Sequence, residues 1–262
     1  MKLNKIIQGD CLDVMKTFPD ESIDMVLTSP PYDNLRDYKG YTFDFKGIAK
    51  QLYRITKQCG VVVWIVGDQT KDFCESLTSF KQAIYFVEKC NFNLLDTMIY
   101  YKKNYAPAYP TLRRYANQFE YMFVFCKGKP KIFNPVQREK IIKNYKQKRS
   151  YFRQKDGSQK LKIIDNDRET KDASNVFEYA TTVTDKLAKG HPAIFPEPLA
   201  QDHILSWSNE GDIVLDPMCG SGTTCKMSKQ LGRKYIGIEI SEEYCKIAEA
   251  RIEATIVDNK LF

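Results

Sequence analysis

Histidine, paired cysteines and long apolar runs are scarce or missing in this sequence. Only two histidines occur, and the eight cysteines are scattered without a Cys-x-x-Cys pair. This pattern argues against a zinc site and a disulfide framework, and it favours a reducing compartment. The sequence has no apolar run of about 18 residues, which a membrane-spanning helix needs, and no apolar signal segment follows its first lysines. We therefore expect a cytoplasmic protein without a metal site.

Two common phosphate-binding motifs are also absent from the loop where they would be expected. The segment Asp216-Pro217-Met218-Cys219-Gly220-Ser221-Gly222-Thr223 has the pattern of a strand, a glycine loop and a helix start. It is neither a Gly-x-Gly-x-x-Gly motif nor a P-loop with its lysine. Glu239 ends the next predicted strand, at about the 20-residue spacing at which a carboxylate binds ribose hydroxyls. The pattern favours a nucleoside ligand without phosphates over a purely structural turn.

Seven candidate β-strands alternate with helical patterns along most of the chain. They lie near residues 5, 24, 63, 97, 122, 214 and 237. The continuous apolar run Val61–Val66 is typical of a central strand that is covered on both faces. Strands 94–101 and 119–126 have no helix between them, so they could pair antiparallel at one edge. The pattern predicts an α/β fold with a doubly wound, mostly parallel, seven-stranded sheet.

Apolar spacing predicts helices over 43–58, 71–90 and about 197–207. We expect Gly60 to end the first of these helices before the central strand begins.

The strand near residue 24 ends in Thr28-Ser29-Pro30-Pro31-Tyr32. Two consecutive prolines cannot continue a sheet or a helix, so the turn is stiff. In an open α/β sheet, ligands bind at the carboxyl ends of the strands. A hydroxyl, carbonyl groups and an aromatic ring held in this way suit a flat polar molecule such as a nucleobase. Taken alone, the segment could equally be an ordinary strand-ending turn.

Positive charge is concentrated in residues 127–171. This segment has fifteen Lys or Arg residues and five Asp or Glu residues, whereas the net charge of the whole chain is +7. Aromatic residues lie among the charges, namely Phe133, Tyr145, Tyr151 and Phe152. A solvated charged surface is one explanation. The combination of cations with aromatic rings favours a nucleic-acid contact surface.

Together, these motifs closely resemble those of the S-adenosylmethionine-dependent DNA methyltransferases that modify exocyclic amino groups. The resemblance is carried by the glycine loop with Glu239 and by the Thr-Ser-Pro-Pro-Tyr turn. Gly9-Asp10-Cys11 and the segment from His191-Pro192 to Pro196 also match. The turn precedes the basic segment and the glycine loop comes last, which is the order called the beta class.

This resemblance implies a circularly permuted, Rossmann-like methyltransferase fold. Residues 1–127 and 186–262 would form the catalytic domain, and residues 128–185 an inserted, basic target-recognition region. The implied cofactor is S-adenosylmethionine and the implied substrate is double-stranded DNA. A homodimer and a separately encoded restriction endonuclease are further implied partners.

The resemblance also implies roles for individual residues. A flipped base would stack on Tyr32, Ser29 and the Pro30 carbonyl would accept hydrogen bonds from its amino group, and Pro31 would hold the turn. The residues implied in cofactor binding are Asp10 and Cys11 at the adenine ring, Glu239 at the ribose, His191 and Phe195 over the cofactor, and Asp216, Pro217, Cys219, Gly220, Ser221, Gly222 and Thr223 at the methionine part.

The sequence leaves the target base and the substrate class open. Serine at position 29 favours cytosine-N4 over adenine-N6 methylation by the family's pattern, but adenine is not excluded. Cytosine-C5 methylation needs a cysteine nucleophile, typically in a Pro-Cys pair, and the sequence contains no such pair. RNA or small-molecule methylation on the same fold and a non-catalytic DNA-binding protein are further possibilities.

Overall fold

The computed structural model describes residues 1–31, 43–105, 113–139, 147–165, 169–181, 185, 187, 194 and 196–256. The chain forms two compact units. The first unit contains Met1–Asn134 and Asn175–Phe262, and the second contains Pro135–Ser174.

The first unit consists of a large sheet with helices on its faces. The helices in its described residues are α1 (Cys11–Lys16), α2 (Phe45–Ile55), α3 (Thr78–Glu88), α4 (Glu197–Trp207), α5 (Thr223–Gln230) and α6 (Glu242–Glu253). The large sheet contains β1 (Lys5–Gln8), β2 (Ile23–Thr28), β3 (Thr56–Val66), β6 (Asn93–Lys102), β7 (Phe119–Cys126), β12 (Val176–Tyr179), β13 (Ile213–Asp216) and β14 (Lys234–Glu239). The short strands β4 (Thr70–Lys71) and β5 (Cys74–Glu75) form a hairpin. None of the helices in the described residues is long and apolar enough to cross a membrane.

The strand order of the large sheet is β1-β14-β13-β2-β3-β7-β6-β12. Neighbours from β1 to β3 are parallel, whereas β7 is antiparallel to both β3 and β6. The predicted mostly parallel α/β sheet and its antiparallel strand pair are therefore confirmed. Because parallel strands end at the same edge, the carboxyl ends of β1, β14, β13, β2 and β3 lie side by side.

The core lies on both faces of β3, as its apolar run predicted. Val62 to Val66 are almost fully buried, and Trp64 donates a hydrogen bond to the Gln82 side chain of α3 at 2.8 Å. The Trp64 ring lies 5.1 Å from that of Phe86, centroid to centroid. Helix α2 covers the same core with residues spaced three and four apart, namely Ile48, Ala49, Leu52 and Ile55. The Asp44 carboxylate caps this helix by accepting a hydrogen bond from the Gly47 amide.

Three sequence predictions about individual elements were wrong or incomplete. Gly60 does not end α2, because the helix ends at Ile55 and Gly60 lies inside β3. A Cβ atom at Gly60 would lie 2.9 Å from the Asp24 carbonyl oxygen, so glycine is needed there for close strand packing. The helix predicted over 71–90 begins only at Thr78, after the β4–β5 hairpin. An eighth strand, Val176–Tyr179, extends the sheet by pairing in parallel with β6.

The second unit is built from two antiparallel strand pairs. Strand β9 (Gln147–Arg153) pairs with β10 (Gln159–Asp165), and β8 (Gln137–Glu139) pairs with β11 (Thr170–Asp172). Phe152 lies opposite Lys160, and the Lys162 ammonium group lies 5.9 Å from the centre of the Phe152 ring. One face of the β9–β10 pair therefore presents an exposed aromatic ring together with two lysines.

Candidate active site

The Ser29-Pro30-Pro31 turn and the glycine loop lie at the same edge of the large sheet. Val214 and Leu215 of β13 pair with Met25 and Val26 of β2, so the two strands end next to each other. Ser29 and Pro31 are partly exposed, whereas Pro30 is buried. Tyr32, the predicted stacking ring, lies outside the described residues.

A buried hydrogen bond connects these two motifs. The Thr28 hydroxyl donates to the Asp216 carboxylate at 2.8 Å, although the two residues are 188 positions apart in the chain. The Thr224 hydroxyl, in the first turn of α5, donates to the Leu27 carbonyl at 3.2 Å. The glycine loop is thus tied directly to the strand that carries Ser29. Sequence reasoning missed both threonines as site residues, and their only signal was their place inside the two motifs.

Asp216 is a buried carboxylate with an altered acidity. Its side chain accepts hydrogen bonds from Thr28 and from the Met218 amide. Burial raises the pKa of Asp216 to about 6, while the hydrogen bonds from Thr28 and from the Met218 amide act in the opposite direction. The group therefore changes charge close to neutral pH.

Glu239 ends β14 beside the glycine loop. One carboxylate oxygen accepts a hydrogen bond from the Gly220 amide and the other from the Ser241 amide, each at 2.9 Å. Burial raises the pKa of Glu239 above its ordinary value. Each oxygen keeps a second lone pair, so the oriented carboxylate can also accept hydrogen bonds from ligand hydroxyls.

Gly222 has a structural role in addition to any contact with a ligand. Its φ angle of +79° lies in the left-handed region that glycine adopts without strain. A Cβ atom built on Gly222 would lie 2.7 Å from the Ala248 Cβ atom of α6. The absence of a side chain at this position therefore allows α6 to pack directly against the loop.

Cys219 lies in the same loop and contributes to its packing. Its sulfur and that of Cys225 would both lie 2.8 Å from a Cβ atom at Gly237, so the two thiols fill the space beside that glycine. A hydrogen bond with Cys225, together with burial, holds the pKa of Cys219 well above its ordinary value. This thiol therefore stays protonated and is a poor nucleophile. Pro217 and Ser221 are buried in the loop.

Asp10 and Cys11 lie at the end of β1, next to β14. Gln8 pairs with Glu239, and the Gly9 amide donates to the Glu239 carbonyl at 2.9 Å. The Asp10 carboxylate caps α1 by accepting hydrogen bonds from the amides of Leu12 and Asp13. Burial, with the nearby Asp10 charge, raises the pKa of Cys11 to about 12. Asp10 and Glu239 thus lie on neighbouring strand ends, whereas the predicted residues His191 and Phe195 lie outside the described residues.

The described groups fit the chemistry of a nucleoside-type cofactor. Glu239 supplies oriented acceptors for hydroxyl groups, and Asp10 lies at the end of the adjacent strand. Asp216 and the glycine loop lie on the other side of Glu239, next to the turn that carries Ser29. One edge of the sheet therefore brings together Asp10, Glu239, Asp216 with the glycine loop, and the turn that carries Ser29.

Comparison with known proteins assigns this architecture to a family. The family model N6_N4_Mtase, described as DNA methylase, matches residues 23–250. The orphan methyltransferase M.BamHII of Bacillus amyloliquefaciens is 49% identical over 251 residues, which cover 92% of each chain. The type II methyltransferase M.HinfI of Haemophilus influenzae is 30% identical over 275 residues, covering 95% of this chain and 68% of the relative.

Solved structures show the same fold. The PvuII DNA methyltransferase, described as cytosine-N4-specific, aligns with a TM-score of 0.70 at 21% identity, covering 97% of this chain and 86% of the other. The M1.HpyAVI–SAM complex aligns with a TM-score of 0.61 at 24% identity, covering 94% of this chain and 98% of the other. At this level of identity, the alignments concern the arrangement of helices and strands.

Proposed function

Because the chain belongs to the N6_N4_Mtase family of DNA methylases, we propose that it transfers a methyl group from S-adenosylmethionine to the exocyclic amino group of a flipped DNA base. It is an enzyme of the N4/N6 amino-methyltransferase type. The observation that carries the proposal is the hydrogen bond between Thr28 and Asp216, which joins the Ser29-Pro30-Pro31 turn to the glycine loop. The proposed substrate is double-stranded DNA, and flipping brings the base out of the stack.

In the proposed cofactor site, Glu239 binds the ribose hydroxyls and Asp10 with Cys11 contacts the adenine. Asp216 and the loop from Pro217 to Thr223 hold the methionine part, and His191 and Phe195 are proposed to cover the cofactor. When bound, S-adenosylmethionine supplies an electrophilic methyl group on a sulfonium centre. The fit of these residues to a nucleoside is supported by the hydrogen bonds that orient Glu239.

The proposed role of the turn is to orient a weak nucleophile. An exocyclic amino nitrogen is conjugated with its ring, so its lone pair is poorly available. The Ser29 hydroxyl and the Pro30 carbonyl would accept hydrogen bonds from the amino group and draw it towards tetrahedral geometry. The nitrogen would gain the methyl group as the methyl–sulfur bond of the donor breaks and leaves a neutral thioether, and it would lose one proton to solvent water. No covalent enzyme intermediate is needed. Positioning and electrostatics supply the rate enhancement.

We propose cytosine-N4 as the target atom because the acceptor at position 29 is a serine hydroxyl. Adenine-N6 methylation by the same mechanism is the second candidate, since the same turn can orient either amino group. Expression in a host without DNA methylation, followed by mass spectrometry of the digested DNA, decides between them. We expect N4-methylcytosine; N6-methyladenine would correct the base, and DNA without either product would contradict the proposed function.

A second experiment tests the residue roles. Replacing Tyr32 by alanine should abolish turnover and leave S-adenosylmethionine binding nearly unchanged, because the ring is proposed to contact only the base. Calorimetry and a methyl-transfer assay on the same preparations measure both quantities. Loss of cofactor binding in Tyr32→Ala would contradict the role assigned to the ring.

We propose that residues 128–185 supply target recognition. The β9–β10 pair of the second unit supports this proposal, because Phe152 and Lys162 are exposed on one face. Lysines can bind phosphates without regard to sequence, and aromatic rings can stack on bases.

We also propose a homodimer that forms through the apolar surface of α3. This surface is defined by five exposed side chains: Phe73, Leu77, Phe80, Ile84 and Val87. Residues at 77, 80, 84 and 87 recur at helical spacing along one face. Exposed Lys81 and Glu88 lie on either side of Ile84, so an antiparallel, two-fold pairing brings opposite charges together.

The relatives are named orphan and type II methyltransferases. The proposal therefore covers both a solitary enzyme and one whose restriction endonuclease is encoded separately.

A further inference from the structure

Arg251 of α6 is a buried arginine that contacts the glycine loop. Its side chain is fully buried. One terminal nitrogen donates to the Ser221 carbonyl at 2.5 Å, to the Ser221 hydroxyl at 3.0 Å and to the Thr223 hydroxyl at 3.2 Å. The guanidinium group thus holds both the backbone and the side chains of the loop.

The same guanidinium group binds two carboxylates outside the loop. The Arg251 Nε atom donates to Asp185 at 2.9 Å, and the other terminal nitrogen donates to Glu197 at 3.0 Å. The Lys226 ammonium group of α5 contacts the same two carboxylates, at 2.9 Å and 2.6 Å. Two cations and two anions therefore form a neutral cluster that joins α5, α6, the first residue of α4 and Asp185.

The hydrogen bonds of this cluster keep the Asp185 carboxylate ionised although it is partly buried. Burial alone would raise the pKa of Asp185, but the hydrogen bonds from Lys226 and Arg251 together lower it to about 2. Asp185 therefore stays charged at neutral pH. Buried ion pairs add little net stability compared with apolar packing. The main effect of this cluster is therefore to fix the position of the Arg251 guanidinium group against the glycine loop.

An arginine is suited to this role because its donors point in fixed directions from one plane. A lysine carries the same charge but cannot donate to Ser221, Thr223, Asp185 and Glu197 from the same position. The orientation of the loop thus depends on the guanidinium group itself rather than on its charge alone.

We propose that Arg251 is a positioning residue of the cofactor site, which holds Ser221 and Thr223 so that the loop binds the methyl donor, without touching the donor itself. The inference rests on the proposed function, because it takes the glycine loop as the binding site for S-adenosylmethionine. No sequence motif pointed to Arg251, because it lies in the closing helix among ordinary helical residues.

If Arg251 only stabilised the fold, replacing it would lower the free energy of unfolding without changing the affinity for S-adenosylmethionine. Arg233 offers a matched control for this alternative. Arg233 is also a buried arginine, and it donates to the carbonyls of Ser208 and Leu231 at 2.7 Å and 2.6 Å. It lies just before β14, whereas the glycine loop is at the other end of that strand. Arg251→Lys and Arg233→Lys thus make the same chemical change in two buried sites, of which only one touches the loop.

The experiment measures S-adenosylmethionine affinity by calorimetry, KM and kcat with saturating DNA, and unfolding by denaturant. We expect Arg251→Lys to raise Kd and KM for S-adenosylmethionine about tenfold or more, with kcat at saturating cofactor and DNA affinity nearly unchanged. Arg233→Lys should lose comparable stability and keep its Kd within about twofold of the wild type. Equal stability losses with an unchanged Kd in Arg251→Lys would overturn the inference.

A second variant keeps the test decisive if Arg251→Lys does not fold. Glu197→Gln removes one charge that anchors the guanidinium group but leaves Arg251 in place. It should raise Kd for S-adenosylmethionine by a smaller factor than Arg251→Lys, and an unchanged Kd in a folded Glu197→Gln would overturn the inference. Absence of binding by the wild-type protein would overturn the proposed function and this inference together, whereas wild-type binding with unaffected variants overturns the inference alone.

Discussion

The Thr28 hydroxyl forms one of the two buried hydrogen bonds that connect β2 to the glycine loop and α5. Replacing Thr28 by valine keeps the shape of the side chain but removes the donor to Asp216. We expect Thr28→Val to lower the free energy of unfolding by about 1–3 kcal/mol, because a buried carboxylate loses a partner. Thr28→Ser retains the hydroxyl and should lose much less. Denaturant unfolding of both variants checks this, and equal losses would mean that the methyl group, rather than the hydroxyl, matters at position 28.

The acidity of Asp216 predicts how stability depends on pH. Its pKa in the folded protein is raised to about 6 from an ordinary value of 3.8. Between these two values the folded state binds more protons than the unfolded state, so this group makes the protein less stable as pH rises. Asp216→Asn removes that contribution and keeps an acceptor for Thr28. We expect the variant to gain stability relative to the wild type as pH rises from about 4 to about 6, by about 1 kcal/mol per pH unit.

The difference between the two proteins is the quantity to measure, because another buried group acts oppositely. Burial lowers the pKa of His203 to about 4 from 6.5, so its contribution to stability grows with pH over much of the same range. His203 is present in both proteins, and its effect cancels in the difference. Denaturant unfolding at several pH values between about 4.5 and about 7.5 gives the result. A difference that does not change with pH would show that Asp216 is not protonated in this range.

At the scale of helices and strands, Gly222 controls how α5 and α6 pack. Alanine at this position would be strained by the positive φ angle and would contact Ala248 too closely. We expect Gly222→Ala to lower the free energy of unfolding by about 2–5 kcal/mol, from the strain and the overpacking together. Ala248→Gly should relieve the overpacking but not the strain. A double-mutant cycle measures the interaction, and a coupling energy near zero would contradict the predicted contact.

The exposed face of the β9–β10 pair carries the next prediction. Neutralising Lys160 and Lys162 with glutamine should weaken DNA binding and reduce the slope of log K against log salt by about 0.9 for each phosphate that a lysine no longer neutralises. The matched control replaces Lys5 and Lys234, which are exposed at the amino ends of β1 and β14, away from the candidate site. If both double variants behave alike, the β9–β10 pair does not bind DNA.

The elements that could be predicted from the sequence are those whose own residue pattern indicates how they are buried. The run Val61–Val66 is continuously apolar and rich in β-branched residues, which favours a central strand covered on both faces, and its side chains are buried. Val176–Tyr179 became a strand because β6 offers it an edge, which is a contact between distant parts of the chain. Gly60 was misread because a glycine that ends a helix and one that allows close strand packing look the same in a sequence.

In the candidate site, sequence patterns could indicate residues at the ends of strands but not the contacts between distant residues. Glu239 could be inferred from its spacing after the glycine loop, since the spacing reflects one strand and one helix. The Thr28–Asp216 hydrogen bond and the Arg251 cluster each join residues that are far apart in sequence. No local pattern records such pairs, because they depend on which strands and helices become neighbours after folding.

At the scale of the whole molecule, the apolar surface of α3 predicts association. A soluble monomer rarely exposes so many large apolar side chains together, and a second copy of the same surface would cover them. Ile84 is 54% exposed and lies between Lys81 and Glu88 at the centre of this surface. Ile84→Glu would place two like charges opposite each other across a two-fold axis. We expect the wild-type protein to be a dimer and this variant to be a monomer.

Light scattering coupled to gel filtration measures the mass of each species directly. The matched control is Ile256→Glu, which makes the same change at a position that is 86% exposed and is not part of the α3 surface. This control should remain a dimer, because it changes net charge by the same amount without entering the interface. A dimer that survives Ile84→Glu would place the interface elsewhere on the molecule, and a monomeric wild-type protein would remove the homodimer from the proposal. Methyl-transfer assays on the monomeric variant then show whether one copy of the site is sufficient for turnover.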